Sequence, residues 1–254
     1  MLKDMINTVI CGDCLEVIKE IEDNSISLLI TSPPYNVGMS YELELSEQDY
    51  YEFLLSYFIK LKRVLKPDGR ICWNVPYQMY TKKMKHEISQ WYLSVKALTT
   101  ASLNIRDNIT WNQSYSDNDT AWGSWISASS PWLRHQTEAI IIGYNQQWKK
   151  LNSGTNTITR DEFLKYVLDI WNMPCARRDW YHPAPFPEEL PYRCIQLFSY
   201  KEDIILDTFA GSCTTAIAAI KTNRNWICIE KEEKYCEQGQ KRIDAELAQG
   251  KLDL

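Results

Sequence analysis

Short apolar runs alternate with helical segments along the chain, and this alternation restricts the fold more than any other feature of its 254 residues. "VICGD" (9–13), "ISLLI" (26–30), "RICWNV" (70–75), "NITWN" (108–112), "EAIIIGY" (138–144), "DIILD" (203–207) and "NWICIE" (225–230) read as short buried strands. Between the first two, "CLEVIKEIED" has helical spacing. Ser46 reads as the N-cap of a helix whose apolar face runs Tyr50, Phe53, Leu54, Tyr57, Phe58, Leu61, Val64 and Leu65, with "KPDG" (66–69) as its stop. A further helix is expected from about Thr214, and a charged one at the C-terminus. Such alternation predicts an α/β fold with a mostly parallel sheet and helices on both faces.

No Gly/Ser/Pro-rich linker and no internal repeat divides the chain, so a single domain over 1–254 is expected. No apolar run approaches the roughly 20 residues that span a bilayer, and "MLKDMINTVICGD" lacks a signal-peptide core. The expectation is a cytoplasmic protein without membrane association. Eight cysteines then read as reduced thiols, and the C-x-x-C of Cys11 and Cys14 lacks the second pair that a zinc site needs. No metal is expected. The net charge of −5 disfavours a general nucleic-acid binder, but the charge is uneven. Residues 60–86 hold eight Lys/Arg against Asp68 alone, whereas residues 1–49 hold two Lys and ten acids. One electropositive face on an acidic protein would suit phosphate contacts; a solvated helix and loop is the plainer reading.

In parallel-rich sheets ligands sit outside the carboxyl ends of the strands, and two strand ends here carry unusual residues. One is "TSPPYN" (31–36). Two prolines hold Ser32 and Pro33 extended and remove backbone donors, leaving oxygens beside the ring of Tyr35. Such a turn either stops the strand or grips something flat that carries an N–H group. The other is "LDTFAGSCTTAIAAI" (206–220), where Asp207 closes a strand and an Ala-Gly-Ser bend opens a helix at small residues. Its exposed N–H groups favour an anionic group. Glu230 lies nineteen residues after Gly211, where dinucleotide folds place a ribose-binding acid. A G-x-G-x-x-G pattern is missing, because Cys213 stands where a second glycine would be.

Together, Ser-Pro-Pro-Tyr and the F-x-G-S loop followed by Thr-Thr resemble the DNA amino-methyltransferases that use S-adenosylmethionine (SAM). "CGDCLEVI" resembles the family's Gly-Asp-Cys segment, "LKPDGR" with "ICWNV" its middle strand region, and "HPAPFPEELPYRCIQLFS" (182–199) its His-Pro…Phe-Pro segment. The catalytic segment precedes the SAM loop, as in the beta class. The resemblance implies a Rossmann-like SAM-dependent methyltransferase fold and, as product, S-adenosylhomocysteine. It places Ser32, Pro33, Pro34 and Tyr35 in catalysis. By the same resemblance Asp13, Cys14, Thr31, His182, Phe186, Asp207, Phe209, Ala210, Gly211, Ser212, Thr214, Thr215, Glu230 and Lys231 hold SAM. Thr208 and Cys213 depart from the family's proline and second glycine.

On that reading, hydrogen bonds from a base amine to Ser32 and the Pro33 carbonyl aim its lone pair at the methyl donor, by positioning and polar preorganisation alone. The base must leave the duplex, and Tyr35 is suited to stack on it. By resemblance Ser-Pro-Pro-Tyr leans to cytosine N4, with adenine N6 as the alternative. Cytosine C5 chemistry would need a cysteine; Pro174-Cys175 follows "DIWNM", away from any evident strand-end elbow, and reads as incidental. Segments 113–135 and 145–181 are candidate DNA-contacting insertions, in which Trp122, Trp125 and Trp132 are either DNA-facing or packing aromatics. Neither His135 nor His182 needs to be catalytic. Double-stranded DNA is the expected partner, with a cognate restriction endonuclease conceivable. Rival readings are an RNA or protein amide methyltransferase and an inactive DNA- or SAM-binding module.

Overall fold

A computed structural model describes residues 2–36, 45–81, 86–113, 123–133, 135–176 and 186–250. In its first half, α1 (Leu2–Met5), β1 (Thr8–Cys11), α2 (Cys14–Val17), β2 (Ile26–Thr31), α3 (Glu47–Val64), β3 (Leu65–Pro76), β4 (Met79–Thr81) and β5 (His86–Ile88) follow one another. Then come α4 (Gln90–Thr100), β6 (Asn104–Asn112), β7 (Thr137–Tyr144), α5 (Arg160–Tyr166), β8 (Ile170–Asn172) and α6 (Glu189–Phe198). The chain ends with β9 (Ile204–Asp207), α7 (Thr214–Lys221), β10 (Asn225–Glu230) and α8 (Glu233–Gly250).

Eight strands form one sheet in the order β1-β10-β9-β2-β3-β7-β6-β8, and β4 with β5 make a small separate hairpin. Five of the sheet's pairings are parallel, and both antiparallel ones involve β7. The side-chain alternation of a strand divides the interior into two layers. Leu29, Ile71, Trp73, Val75, Ile141, Leu206 and Ile229 face a core built with Leu54, Tyr57, Phe58 and Leu61 of α3 and Leu93, Ala97 and Leu98 of α4. Leu28, Ile30, Cys72, Ile140, Ile142, Ile205 and Cys228 face the opposite core, with Leu190, Cys194 and Ile195 of α6, Ala216 to Ala219 of α7 and Ile243 of α8. Helices therefore cover both faces of a mostly parallel sheet, as the strand spacing predicts.

Local chemistry sets the boundaries. Ser46 caps α3 by accepting from the backbone N of Asp49 at 3.1 Å, a bond worth about 1 kcal/mol. The helix turns directly into β3 at Leu65, so "KPDG" does not separate two elements. The pairing with β2 jumps from Ile26↔Leu65 to Leu28↔Arg70, and the residues between bulge out of register. α3 also runs back along the sheet, which carries Lys60, Lys62 and Arg63 to the end opposite the carboxyl ends of the parallel strands. There Arg63 donates to the carbonyls of Ile18, Lys19 and Ile21 and pairs with Asp23. This part of the basic run clamps the fold; Lys82, Lys83 and Lys85 lie outside the described residues.

From β9 the chain passes through α7 to β10 on one side; from β2 it passes through α3 to β3 on the other. The crossovers diverge between β9 and β2, which leaves a crevice at their carboxyl ends. Among the described residues, no helix is long and apolar enough to cross a membrane.

Candidate active site

Both unusual strand ends open into that crevice. Their junction is Thr31, the last residue of β2, whose hydroxyl donates to Asp207 Oδ1 at 2.6 Å across the strand boundary. Thr215 Oγ1 donates to Oδ2 at 2.6 Å, and the Phe209 N–H reaches both Asp207 Oδ1 and Thr31 Oγ1 at 3.2 Å. Burial pushes the Asp207 carboxyl up to about 6 against the pull of these donors. Tyr35 follows Thr31 and Gly211 follows Asp207 by one short turn each, so both lie on the same side of the molecule.

Beyond Asp207 the loop is tightly determined. Gly211 has φ +50°, and its N–H donates to Glu230 Oε2 at 2.8 Å. The other carboxylate oxygen of Glu230 accepts from the Glu232 N–H at 2.9 Å. Asp13 caps α2 through the Leu15 N–H at 2.8 Å, and its second oxygen lies 3.7 Å from Lys231 Nζ. Arg242 of α8 donates to the Ser212 carbonyl at 2.6 Å, the Ser212 hydroxyl at 2.7 Å and the Thr214 hydroxyl at 3.2 Å. Cys213 takes φ 59°, ψ 36° at the start of α7, the left-handed conformation that glycine adopts freely. Thr208, in place of proline, shares a 2.6 Å hydrogen bond with the buried hydroxyl of Tyr57.

The expected SAM residues Thr31, Asp207, Phe209, Gly211 and Glu230 come together, with Asp13 and Lys231 at the rim beside them. Cys14, Ala210, Ser212, Thr214 and Thr215 are buried behind this surface. Burial pushes the Cys14 thiol up to about 12, the reverse of what a metal-binding or nucleophilic thiolate needs. Phe186 packs against the second core, and His182 lies outside the described residues. A half-buried ring between acidic ends fits a ligand that carries a positive centre and offers N–H and O–H donors. A sulfonium, an α-amino group and a ribose have that chemistry. No group of three or more His, Cys, Asp or Glu among the described residues could hold a metal.

The Ser-Pro-Pro-Tyr turn is braced from behind. Tyr50 Oη donates to the Pro34 carbonyl at 2.8 Å, and Gln90 Nε2 to the Tyr35 carbonyl at 2.9 Å. Asn36, left-handed at φ 56°, bonds both the N–H and the carbonyl of Leu45. The Ser32 hydroxyl lies 2.6 Å from Tyr35 Oη, and Tyr35 Oη donates to Glu138 Oε2 at 3.0 Å. Asn74 Nδ2 donates to Glu138 Oε2 at 2.6 Å and to Tyr35 Oη at 3.1 Å, and Gln113 Nε2 holds Glu138 Oε1 at 2.8 Å. Burial and the Glu138 charge push the Tyr35 phenol well up, so it stays protonated and donates. Glu138 is raised in turn by burial.

Sequence reasoning missed Asn74, Gln90, Glu138 and Arg242. None of the four belongs to a quoted motif; Glu138 opens the apolar run "EAIIIGY", where an acid reads as a strand boundary. Its role is visible only through the register Pro76↔Glu138 and Asn74↔Ile140 between β3 and β7. Cys175 also sits differently from expectation. β8 pairs with β6 up to Asn112↔Asn172, bringing Cys175 close enough to Glu138 to feel its charge. Burial, then that charge, raise the thiol, which opposes a role as covalent nucleophile.

A family model described as a DNA methylase of the N6/N4 methyltransferase type matches residues 26–241. The type II methyltransferase M.MjaVI of Methanocaldococcus jannaschii is 34% identical over 171 residues, covering 66% of this chain and 85% of that protein. The DNA adenine methyltransferase YhdJ of Escherichia coli K12 is 29% identical, covering 93% and 82%. Among solved structures, a DNA modification methylase of Thermus thermophilus complexed with S-adenosyl-L-methionine superposes with TM-score 0.75 at 22% identity, covering 94% and 95%. The cytosine-N4-specific PvuII DNA methyltransferase superposes with TM-score 0.73 at 21% identity, covering 92% and 85%. With its fold, its motif order and most of its length matched, the chain belongs to the N6/N4 DNA methylase family.

Proposed function

We propose that this protein transfers a methyl group from S-adenosylmethionine to the exocyclic amine of a base extruded from duplex DNA, with cytosine N4 as the preferred target. The carrying observation is the Ser32 hydroxyl, held by Tyr35 at the end of β2, one residue from the Thr31–Asp207 bond that anchors the cofactor loop. Phe209, Gly211, Glu230 and Asp13 hold the cofactor, which supplies an activated methyl group at the mouth of the crevice. Ser32 and the Pro33 carbonyl accept the amine's hydrogens and turn its lone pair outward. The carbonyls of Pro34 and Tyr35 are already taken by Tyr50 and Gln90, so the turn is pre-set for this task. Tyr35, half-buried, offers its ring as a stacking surface.

The loop between β6 and β7 is the proposed DNA-facing element. It leaves and returns at Gln113 and Glu138, inside the site, and the Gln113 N–H bonds the Gln136 carbonyl at 2.9 Å. Trp125 is 67% exposed and Trp132 49%, so neither is a packing aromatic; Trp122 lies outside the described residues. Segment 145–181 is built differently. It contributes α5 and the edge strand β8, and exposes Phe163, Leu164, Val167 and Leu168 rather than a basic surface.

Adenine N6 is the second reading, favoured by the 29% identity to a DNA adenine methyltransferase. Incubation with labelled SAM and mixed genomic DNA, digestion to nucleosides and mass analysis separates the two: N4-methylcytosine is expected, and N6-methyladenine moves the target. Ser32→Ala should lower kcat about 100-fold while the calorimetric affinity for SAM stays as in the wild type. Equal loss of both, or of neither, contradicts the role of Ser32.

A further inference from the structure

We propose that Glu138 is the positioning carboxylate of the reaction, fixing Ser32 as a hydrogen-bond acceptor through Tyr35 and taking up the proton that the methylated amine releases. This rests on the amine-methylation reading and adds a residue that no motif supplies.

The hydrogen order follows from counting protons. Tyr35 has one phenolic hydrogen, which goes to the Glu138 carboxylate at 3.0 Å. The 2.6 Å contact between Ser32 Oγ and Tyr35 Oη also needs a hydrogen, and only Ser32 can supply it. The serine hydrogen therefore points inward at Tyr35, and the outward lone pairs of Ser32 can accept an amine N–H. A protonated Glu138 reverses the order: it donates to Tyr35, Tyr35 donates to Ser32, and the serine hydrogen turns towards the Asn74 carbonyl at 3.2 Å or outward. Ser32 would then meet the amine with a donor.

Asn74 shows how strongly this order is enforced. Its Nδ2 serves Glu138, Tyr35 and, at 3.5 Å, Ser32, while its buried Oδ1 has no partner among the described residues. An orphaned buried acceptor costs about 1–3 kcal/mol, and flipping the amide would remove the donor from the carboxylate. The groups facing Glu138 among the described residues are the neutral amides of Asn74 and Gln113, the phenol of Tyr35 and, farther off, the thiol of Cys175. No cation is among them, so Glu138 is a carboxylate kept by neutral donors and ready to take a proton.

The same row of atoms carries the proton away. When the N–C bond forms, the pair from the donor's C–S bond stays on sulfur, and the amine nitrogen holds one proton too many. That proton passes to Ser32 Oγ as the serine hydrogen moves to Tyr35 Oη and the phenolic hydrogen to Glu138 Oε2. The nitrogen ends neutral, both hydroxyls are restored, and Glu138 is protonated until it exchanges with solvent after product leaves.

The test is E138Q, which keeps the shape and an acceptor for Tyr35 but carries no charge. Its kcat should fall about 100-fold or more, with SAM affinity and the KM for DNA close to wild type. The wild-type kcat should also drop on acidification at a pH above the ordinary carboxylate range, and E138Q should lose that limb. Y35F, which interrupts the row between Ser32 and Glu138, should match E138Q. An E138Q enzyme that turns over like the wild type, or that retains the acid limb, overturns the proposal. Infrared difference spectra of the ligand-free protein provide a readout independent of turnover. The carboxyl band lost in E138Q should titrate above the ordinary range and shift in Y35F; an ordinary, Y35F-insensitive band also overturns it. A wild type that methylates no DNA at all refutes the function instead, and leaves the infrared result to decide on Glu138.

Discussion

Asp207 and Glu138 are both enclosed carboxylates at the mouth end of the sheet, both raised by burial, yet their donors differ in what else they can do. Around Asp207 the donors are two buried threonine hydroxyls and the Phe209 N–H, and Phe209 bonds Thr31 as well. Each hydroxyl hydrogen has one destination, so the cluster is a lock between β2, β9 and α7. Around Glu138 the key donor is a phenol whose oxygen also touches half-exposed Ser32. Two hydrogen orders fit the same heavy-atom positions, so this cluster can change state without moving. Neighbouring strand ends thus divide rigidity and reactivity between them.

The sharpest way to break that comparison is to delete the lock. Asp207→Ala orphans three buried donors at once, and at about 1–3 kcal/mol for each unsatisfied group the loss should reach several kcal/mol in urea unfolding. E138Q, by contrast, should unfold close to wild type, because its donors keep an acceptor. If both variants lost the same stability, the distinction between lock and switch would fail.

A pH titration sharpens the same contrast. The Asp207 carboxyl is raised from 3.8 to about 6 on folding, so folding favours its protonated form. That stabilisation is whole below about pH 4 and is lost as pH rises through 6, a change of about 3 kcal/mol. Wild-type stability should therefore carry a component that declines between about pH 4 and 7, and Asp207→Asn should remove it. Unfolding midpoints of the two proteins over that range read the difference directly. Parallel pH curves would show that Asp207 titrates normally.

How much of this is legible in the sequence varies with the kind of information each residue carries. Ser46 and the apolar face of α3 can be read because capping and helical periodicity are local. Thr31, Asp207, Gly211 and Glu230 are legible because each closes or follows a strand inside a short recognisable segment. α4, "QWYLSVKALTT", is not: its cap Ser89 accepts from Tyr92 N at 3.2 Å, but no strong apolar spacing marks its surroundings. Glu138 and Asn74 are illegible for a different reason. They lie on strands 64 residues apart, and only the antiparallel register of β3 with β7 brings them to 2.6 Å. Cys175 looks remote in the sequence because β8 is three residues long and carries no visible strand signal.

The smallest expected effect concerns Cys213, where the sequence shows a departure and the backbone explains it. With φ 59° the residue is in the left-handed region, which costs a non-glycine residue roughly 1–2 kcal/mol. Its side chain is fully buried, and a Cβ on Gly239 of α8 would come within 2.3 Å of its Sγ. The thiol therefore fills the α7–α8 contact that a glycine would leave empty. Cys213→Gly relieves the strain but loses that packing, and the two terms nearly cancel. Cys213→Ala keeps the strain and loses the packing. The glycine variant should therefore be the more stable of the two by about 1 kcal/mol, the reverse of the order at an ordinary helix position. Because the strain lies in the loop that Asp207 locks, the gap should survive in an E138Q background and change in an Asp207→Asn one. A gap altered by E138Q would mean that the two clusters are coupled rather than separate.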